Sequence, residues 1–378
     1  MAKIYISANE YCRRVFGCKV YKLALSAAAT CPNRDGTVGT GGCTFCSSGG
    51  SGDFAAPSSF PIEQQIETAK KLLGPKGEGL RYIAYFQSFT GTHGDLARLE
   101  RVYTQAARQP DIVGLSIATR PDCLEAGALE MLKRLAAVKP LWVELGLQTI
   151  HEETARRINR CYELPVYDRA MRDLKALGVH RITHVILGLP GESREQMLDT
   201  VRYVGGRSDG IKLQLLHVLA GTALAESYSR GEFGVLQPDE YYELVASALE
   251  LLPPDVIVHR LTGDGAKRDL IAPLWSADKK RVLADLNRVL QRRGIAPPAF
   301  NTPRGRACAI DRWIRGFGGC ARRRDAFLRQ ITSQIRMSLI SPGPARGRDA
   351  FLRHIASQIR ISSILPDPRP GLAADHRC

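Results

Sequence analysis

Residues 30–46 read Thr-Cys-Pro-Asn-Arg-Asp-Gly-Thr-Val-Gly-Thr-Gly-Gly-Cys-Thr-Phe-Cys, and the rest of the chain is organised around them. The segment places Cys31, Cys43 and Cys46 within sixteen residues, among too many glycine and turn residues for a helix or a strand. A flexible loop lets three thiolates converge on one soft metal centre. We therefore interpret the C-x11-C-x2-C pattern as a ligand loop.

Three thiolates leave one coordination position open, and an iron–sulfur cluster with one open iron is the interpretation that uses this vacancy. A zinc site completed by Cys18 or Cys12 is a second interpretation, because structural zinc takes four ligands. Three reduced cysteines that are buried as small apolar side chains are a third. The spacing within a glycine-rich loop favours the cluster.

The composition of the 378-residue chain is that of a soluble protein with a substantial core. We find no run of about 18 apolar residues, so we expect no membrane span. The first ten residues lack the layout of a signal peptide. Ten cysteines are too sparse for a disulfide scaffold in so long a chain. Together these features predict a cytoplasmic protein in a reducing compartment.

The net charge of +15 is concentrated near the carboxyl end. Residues 301–378 hold fifteen arginines, no lysine and five acidic residues, which leaves a charge of +10 there and +5 elsewhere. The basic pI therefore describes this tail, and it does not indicate that the main domain binds nucleic acid.

Six apolar segments that are typical of buried strands alternate with helix-length segments before residue 220. Their bounds are Cys18–Ser26, Tyr82–Phe86, Ile112–Ile117, Leu141–Leu147, His184–Leu187 and Ile211–Val218. This alternation predicts parallel strands covered by helices, with the polar loops after the strands gathered at one edge. Six units are too few for a closed eight-unit barrel. We predict an α/β fold, a partial (βα)6 barrel of parallel strands open on one side, with a C-terminal helical extension.

Helix boundaries carry local signals. A helix is expected from Pro61 to Leu73, with Gly74 after its end. Thr149–Glu152 has the capping-box pattern and predicts a helix start. A helix over Tyr167–Leu177 should stop at Gly178. Two later amphipathic helices are expected to close the side of the sheet, over Tyr241–Leu252 and Asp278–Gln291.

The character of the chain changes near residue 294. We therefore assign residues 1–293 to the core domain and 294–378 to a basic, weakly ordered tail. Within the tail, the segment Arg324–Arg336 recurs as Arg348–Arg360 with apolar residues at helical spacing. It is either a solvated appendage or an arm for nucleic acid or an acidic membrane.

The cysteine loop and the strand–helix units together resemble the radical S-adenosylmethionine (SAM) superfamily. Within it they are similar to the YhcC-type branch, which is related to the Elongator catalytic subunit and to oxygen-independent coproporphyrinogen oxidase. The resemblance covers about residues 4–293. It is carried by Tyr21–Ser26, Cys31–Gly36, Gly41–Cys46, Tyr85–Thr90, Ser116–Asp122, Glu144–Gln148, His184–Glu192, Lys212–Val218 and Leu261–Gly265.

The resemblance implies that Cys31, Cys43 and Cys46 hold a [4Fe-4S] cluster whose fourth iron takes the amino and carboxylate groups of SAM. An electron from the cluster would cleave SAM to methionine and a 5′-deoxyadenosyl radical, and the radical would abstract a hydrogen from the substrate. Such an oxidoreductase needs an electron donor such as flavodoxin or ferredoxin. The Elongator relationship and the arginine-rich tail suggest tRNA as a substrate.

The family also implies cofactor contacts outside the cysteines. Phe45 looks like the aromatic residue that flanks the adenine. Gln148 matches a ribose contact and Arg160 a carboxylate contact, since a guanidinium grips a carboxylate with two hydrogen bonds. The alternative interpretation is that Arg160 is an ordinary surface arginine.

Five further residues match contacts of the family. His184 stands at a ribose contact, or it is an ordinary core histidine. Gly188 and Gly191 let the backbone approach the adenine, or they are turn glycines. Gln87 and Thr90 stand where relatives bind the methionine end.

The chain departs from the branch at Thr90–His93 and at Asn159–Tyr162. The cysteine loop is intact, so cofactor cleavage should survive while substrate handling differs. Two alternative functions remain at this stage: a zinc-binding protein or an inactive iron–sulfur protein, each with a basic RNA-interacting tail.

Overall fold

The computed structural model describes residues 3–74, 80–263 and 265–296. Its main feature is one sheet of eight parallel strands that curls through about 226° into an open half-barrel. In chain order, the strands of this sheet and of two small two-stranded sheets are β1 (Lys3–Ile4), β2 (Ile6–Ser7), β3 (Val20–Leu25), β4 (Arg81–Phe86), β5 (Ile112–Thr119), β6 (Leu141–Gln148), β7 (His180–Leu187), β8 (Gly210–Leu215), β9 (Val218–Leu219), β10 (Ile257–Arg260), β11 (Leu270–Ala272) and β12 (Ile295–Ala296).

The predicted α/β fold is confirmed. The six predicted strands lie side by side as β3 to β8, and the spatial order of the sheet is β2-β10-β8-β7-β6-β5-β4-β3. Two short strands, β10 and β2, extend it beyond β8. The last predicted strand is shorter than expected, because the chain leaves the sheet at Leu215. Val218 then pairs with β11 in a separate antiparallel ladder.

The described helices are α1 (Ala8–Phe16), α2 (Ile62–Leu73), α3 (Leu96–Arg108), α4 (Ala126–Val138), α5 (Glu152–Arg157), α6 (Leu164–Leu177), α7 (Arg194–Gly205), α8 (Ala223–Ser229), α9 (Pro238–Leu251) and α10 (Lys279–Arg292). Helices that follow the strands cover the outer face of the sheet. The apolar side chains between them and the strands form the main core; for example, Leu99 and Tyr103 of α3 are fully buried with Leu115 and Ile117 of β5. None of the described helices is long and apolar enough to cross a bilayer.

The expected helix ends are confirmed at Gly74 and at Gly178, which has a left-handed φ of 71°. The capping box expected at Thr149–Glu152 is wrong. Helix α5 begins at Glu152 with His151 before it, and the Thr149 hydroxyl donates to the Glu192 carboxylate at 2.5 Å instead. Tertiary partners therefore decided the conformation of this turn, against the local signal.

The lumen of the half-barrel is closed below by helix α1, whose apolar face packs against the amino ends of the strands. Tyr11 of α1 stacks on His180 with ring centroids 5.6 Å apart, and Phe16 meets Trp142 edge to face at 6.4 Å. His259 of β10 completes this aromatic layer. Because the bottom is packed, any molecule that enters the lumen does so from the carboxyl edge of the strands or through the open flank.

Candidate functional site

The three clustered cysteines lie at the carboxyl edge of the strands, where ligands bind in parallel α/β folds. They belong to the long loop that joins β3 to α2, and they line one pocket together. Nine of the eleven residues predicted for the site line this pocket: Cys31, Cys43, Phe45, Cys46, Gln87, Thr90, Gln148, Arg160 and His184. The fold therefore brings together residues that are up to 153 positions apart in the sequence.

Glycine shapes the cysteine loop at Gly42, where φ is +81°. A Cβ at this position would lie 2.6 Å from Nε of Arg34, so both backbone and space exclude larger residues. Arg34 in turn donates from Nη2 to the carbonyls of Cys46 and Ser47, at 2.9 and 2.7 Å. These hydrogen bonds tie the start of the loop to its end.

The three cysteines of the loop are half-buried. Burial, and to a lesser degree the neighbouring Cys46, raise the pKa of the Cys43 thiol to about 12. Burial also raises the pKa of Cys46, against the opposing charge of Arg34. A metal must therefore displace their protons when it binds, which ties metal loading to proton release.

Cys31, Cys43 and Cys46 line one pocket, so all three thiols can reach a single group that is bound there. Among the described residues, no group of three or more His, Cys, Asp or Glu side chains is placed to hold a single metal ion. Thiolates are ligands of both zinc and iron–sulfur clusters.

Gln148 has an unsatisfied acceptor in the pocket. It ends β6 with a left-handed φ of 71°, after an irregularity in the β6–β7 register between Gly146 and Gln148. Its Oε1 atom is buried and has no hydrogen-bond partner among the described residues. An orphaned buried acceptor costs free energy unless a ligand donates to it. Because this acceptor is unsatisfied, the pocket fits a cofactor that carries a hydroxyl group.

Arg160 is buried, with 1% of its surface exposed, so the alternative of a surface arginine is wrong. Its Nε donates to the carbonyl of Tyr162 at 2.9 Å and its Nη1 to that of Thr149 at 2.6 Å. Its Nη2 lies 3.2 Å from both carboxylate oxygens of Glu152. The guanidinium already holds a carboxylate of the protein, and its predicted contact with a cofactor carboxylate stays a prediction.

Two other arginines that we did not single out from the sequence line the same pocket, namely Arg34 and Arg120. Arg120 holds Asp122 with two hydrogen bonds, at 3.0 and 2.7 Å, and packs its guanidinium over the ring of Tyr162. The available signal was their position in the sequence. Arg34 lies in the cysteine loop, three residues after Cys31, and Arg120 directly follows β5.

The floor of the pocket is formed by Glu144 and His184. Glu144 is fully buried, and its Oε2 lies 2.7 Å from Nε2 of His184. Lys22 and Lys212 also donate to this carboxylate. Burial lowers the pKa of His184 to about 4, with a further contribution from Lys212, so the ring is neutral at pH 7. Glu144 was missed as a site residue, although a charged residue inside an apolar strand is a visible signal.

Gly188 and Gly191 lie outside this pocket. Both have left-handed φ values, of 92° and 83°, and they line a neighbouring cavity of about 310 Å³ with residues 232–236. A Cβ on Gly191 would collide with Arg157, which donates to the carbonyl of Pro190 at 2.9 Å. These glycines are therefore required by the turn itself, and their predicted contact with adenine stays a prediction.

The two segments that depart from the family pattern both contact the cysteine loop. His93 Nε2 lies 2.8 Å from the carboxylate of Asp35. Asn159 and Cys161 both have left-handed φ values, and the Cys161 thiol lies 3.1 Å from the side-chain oxygen of Asn159. The substitutions therefore alter the rim of the site and leave its cysteines in place.

Comparison with known proteins agrees with this geometry. Residues 33–204 match the model of the radical SAM superfamily, and residues 208–292 match that of the radical SAM C-terminal domain. The chain is 44% identical to YtqA of Bacillus subtilis over 293 residues, which cover 77% of this chain and 91% of YtqA. It is 36% identical to YhcC of Escherichia coli K12 over 292 residues, 77% of this chain and 93% of YhcC.

A similar fold occurs in the archaeal Elp3 of Methanocaldococcus infernus, with a TM-score of 0.57 and 19% identity, over 73% of this chain and 63% of that one. The pocket at the strand ends, the family models and the two bacterial relatives lead to one conclusion. The chain belongs to the radical SAM superfamily and, within it, to the branch that contains YhcC.

Proposed function

We propose that this protein is a radical SAM enzyme that holds a [4Fe-4S] cluster through Cys31, Cys43 and Cys46. When bound, the cluster supplies the electron that cleaves SAM to methionine and a 5′-deoxyadenosyl radical, which takes a hydrogen atom from the substrate. The observation that carries the proposal is the convergence of the three cysteines with Gln148 and Phe45 on one pocket at the strand ends.

The residues of the pocket have separate tasks in this proposal. Gln148 Oε1 accepts a hydrogen bond from a ribose hydroxyl, which would satisfy its buried acceptor. Phe45 presents its ring beside the adenine. Its position is rigid, because the neighbouring Thr44 donates to the carbonyl of Ile158 at 3.1 Å and accepts from the amide of Leu224 at 2.9 Å.

The reaction needs one electron for each cleavage, and a flavodoxin or ferredoxin in the cytoplasm is the proposed donor. We also propose tRNA as the substrate, on the relationship to the Elongator subunit. The basic tail that would support this proposal lies outside the residues that the structure describes.

Anaerobic purification tests the cluster. The wild-type protein should be brown and contain about four iron and four sulfide per chain. Cys43→Ala should lose both, whereas Cys123→Ala, which changes a buried cysteine outside the loop, should keep them. Full iron in Cys43→Ala would refute the ligand assignment. Addition of dithionite and SAM to the wild-type protein should then yield 5′-deoxyadenosine.

The two alternatives give different results in the same experiment. A zinc protein is colourless and contains one zinc per chain. An inactive iron–sulfur protein is brown but forms no 5′-deoxyadenosine.

A further inference from the structure

The segment after β4 carries Phe89, whose backbone conformation is unusual. Its φ is +59°, in the left-handed region. Six non-glycine residues of the described chain have a left-handed φ, and Phe89 is the one among them with a large apolar side chain. This region is unfavourable for residues with a Cβ, and such strain persists only where the surrounding structure enforces it. Strained residues are concentrated at functional sites, and Phe89 lines the pocket with Cys31 and Cys46.

The backbone around Phe89 holds both ends of the cysteine loop. The amide of Phe89 donates to the carbonyl of Gly50 at 2.8 Å, shortly after the last cysteine. The amide of Thr90 donates to the carbonyl of Thr30 at 3.0 Å, directly before the first cysteine. The backbone of Phe89 connects these two donors, so its φ sets their relative directions. The strained conformation is therefore the one that lets two successive amides bind the two ends of the loop.

The ring of Phe89 packs against the backbone of Gly50. A Cβ on Gly50 would lie 2.4 Å from Cδ1 of the ring and 2.6 Å from Cε1, so the ring occupies the space of a side chain there. The guanidinium carbon of Arg34 lies 5.9 Å from the ring centroid. Gly50 and Cys46 line the same pocket, and the amide of Gly50 donates to the carbonyl of Ser47 at 3.0 Å. The ring is thus part of the pocket wall, next to the segment that carries Cys46.

We infer that Phe89 is a positioning residue of the cysteine loop. Its backbone fastens the two ends of the loop, and its ring closes the pocket wall beside Cys46 and limits the access of solvent and oxidants to the thiol. As a statement about the thiol, the inference is independent of what the cysteines bind. Its consequence for a cluster, namely slower oxidation in air, rests on the proposed function.

The first test is alkylation of the reduced, metal-free, full-length protein by iodoacetamide, followed for each cysteine by mass spectrometry. Phe89→Ala should raise the rate at Cys46 severalfold relative to Cys123, a buried cysteine outside the loop. Phe89→Leu should retain most of the protection, because it keeps apolar bulk at this position. Phe16→Ala is the matched control: it removes a half-buried aromatic ring at the closed end of the lumen and should leave the ratio of the two rates unchanged.

An unchanged ratio of the Cys46 and Cys123 rates in Phe89→Ala overturns the inference, because a ring with a merely structural role lowers stability without opening the pocket selectively. Equal rates at Cys46 in Phe89→Leu and Phe89→Ala also overturn it. Circular dichroism shows whether each variant is folded. If Phe89→Ala is not, Phe89→Gly takes its place, since glycine adopts a left-handed φ without strain.

A second test couples positions 50 and 89. Gly50→Ala should displace the ring and raise the rate at Cys46, because the added Cβ collides with it. The same change should raise the rate less in a Phe89→Gly background, where the ring is absent. An equal increase in both backgrounds would show that Gly50 does not hold the ring in the wall, and it overturns that part of the inference.

Protein loaded with iron and sulfide under anaerobic conditions gives a third readout. On exposure to air, its absorbance near 400 nm should decay faster in Phe89→Ala than in the wild type and in Phe16→Ala. Equal decay in all three overturns the protection of a cluster by the ring. A wild-type protein that never becomes brown refutes the cluster proposal instead, and the alkylation rates of the metal-free protein still decide whether Phe89 shields Cys46.

Discussion

Asn33 and Asn159 cross-link two loops that are 126 residues apart in the sequence. The side-chain amide of Asn33 donates to the carbonyl of Asn159 at 2.6 Å, and the side-chain amide of Asn159 donates to the carbonyl of Gly42 at 2.8 Å. The Asn33 amide also lies 3.8 Å from the sulfur of Cys43. This pair fastens the cysteine loop to the turn after α5, so it positions a proposed metal ligand.

We predict that Asn33→Ala weakens retention of iron about 10- to 100-fold, the usual cost of losing a residue that orients a metal ligand. Asn33 is fully buried, so its loss also leaves the Asn159 carbonyl without this donor. The measurement is iron content after competition with a chelator under anaerobic conditions. Asn287→Ala, at an exposed position on α10, is the matched control. Equal iron retention in both variants would show that the cross-link does not support the site.

Glu144→Leu should destabilise the fold by about 3–5 kcal/mol, because it leaves the buried Lys212 and the half-buried Lys22 without their shared carboxylate. Urea unfolding followed by circular dichroism measures this change. Glu100→Gln breaks an exposed ion pair with Arg134 and should cost less than about 1 kcal/mol. If the two variants lose similar stability, the contacts of Glu144 with Lys22, His184 and Lys212 do not act as a buried network.

The fold should lose stability as the pH falls from about 6.5 to 4. Burial lowers the pKa of His180 to about 4, whereas an unfolded histidine titrates near 6.5. The unfolded chain therefore binds more protons across this window, which costs up to about 3 kcal/mol of unfolding free energy at its acid end. In His180→Gln the slope of stability against pH should be smaller. If stability falls with pH equally in the wild type and in His180→Gln, His180 is not the cause of the loss.

Removal of residues 297–378 should leave iron content and cooperative unfolding unchanged. The family models end at residue 292, and the predicted core domain ends at 293. Titration with tRNA at two salt concentrations shows whether the tail contributes to binding: an arginine-rich arm makes the affinity fall steeply with salt in the full chain only. A shortened chain that cannot be loaded with iron would place the domain boundary further along the sequence.

Local signals predicted much of the site. The C-x11-C-x2-C loop, the predicted strands and the rule that strand ends share one edge predicted the three cysteines and their place at that edge. The resemblance to the superfamily supplied the other six predicted residues that line the pocket, namely Phe45, Gln87, Thr90, Gln148, Arg160 and His184. The end of α6 at Gly178 could also be predicted, because a left-handed cap depends on a few neighbouring residues only. The resemblance to the superfamily supplied the roles, and the relatives confirm the family.

The sequence by itself determined the cysteine loop and the order of the strands, because both depend on residue types at short spacing. Only the tertiary structure decided that Glu144 joins Lys22 and Lys212 across 122 and 68 residues, or that Arg160 is buried against Glu152. It also placed Gly188 in a separate cavity. The physical reason is that charges in the lumen meet through the register and curl of the whole sheet, which no local pattern encodes.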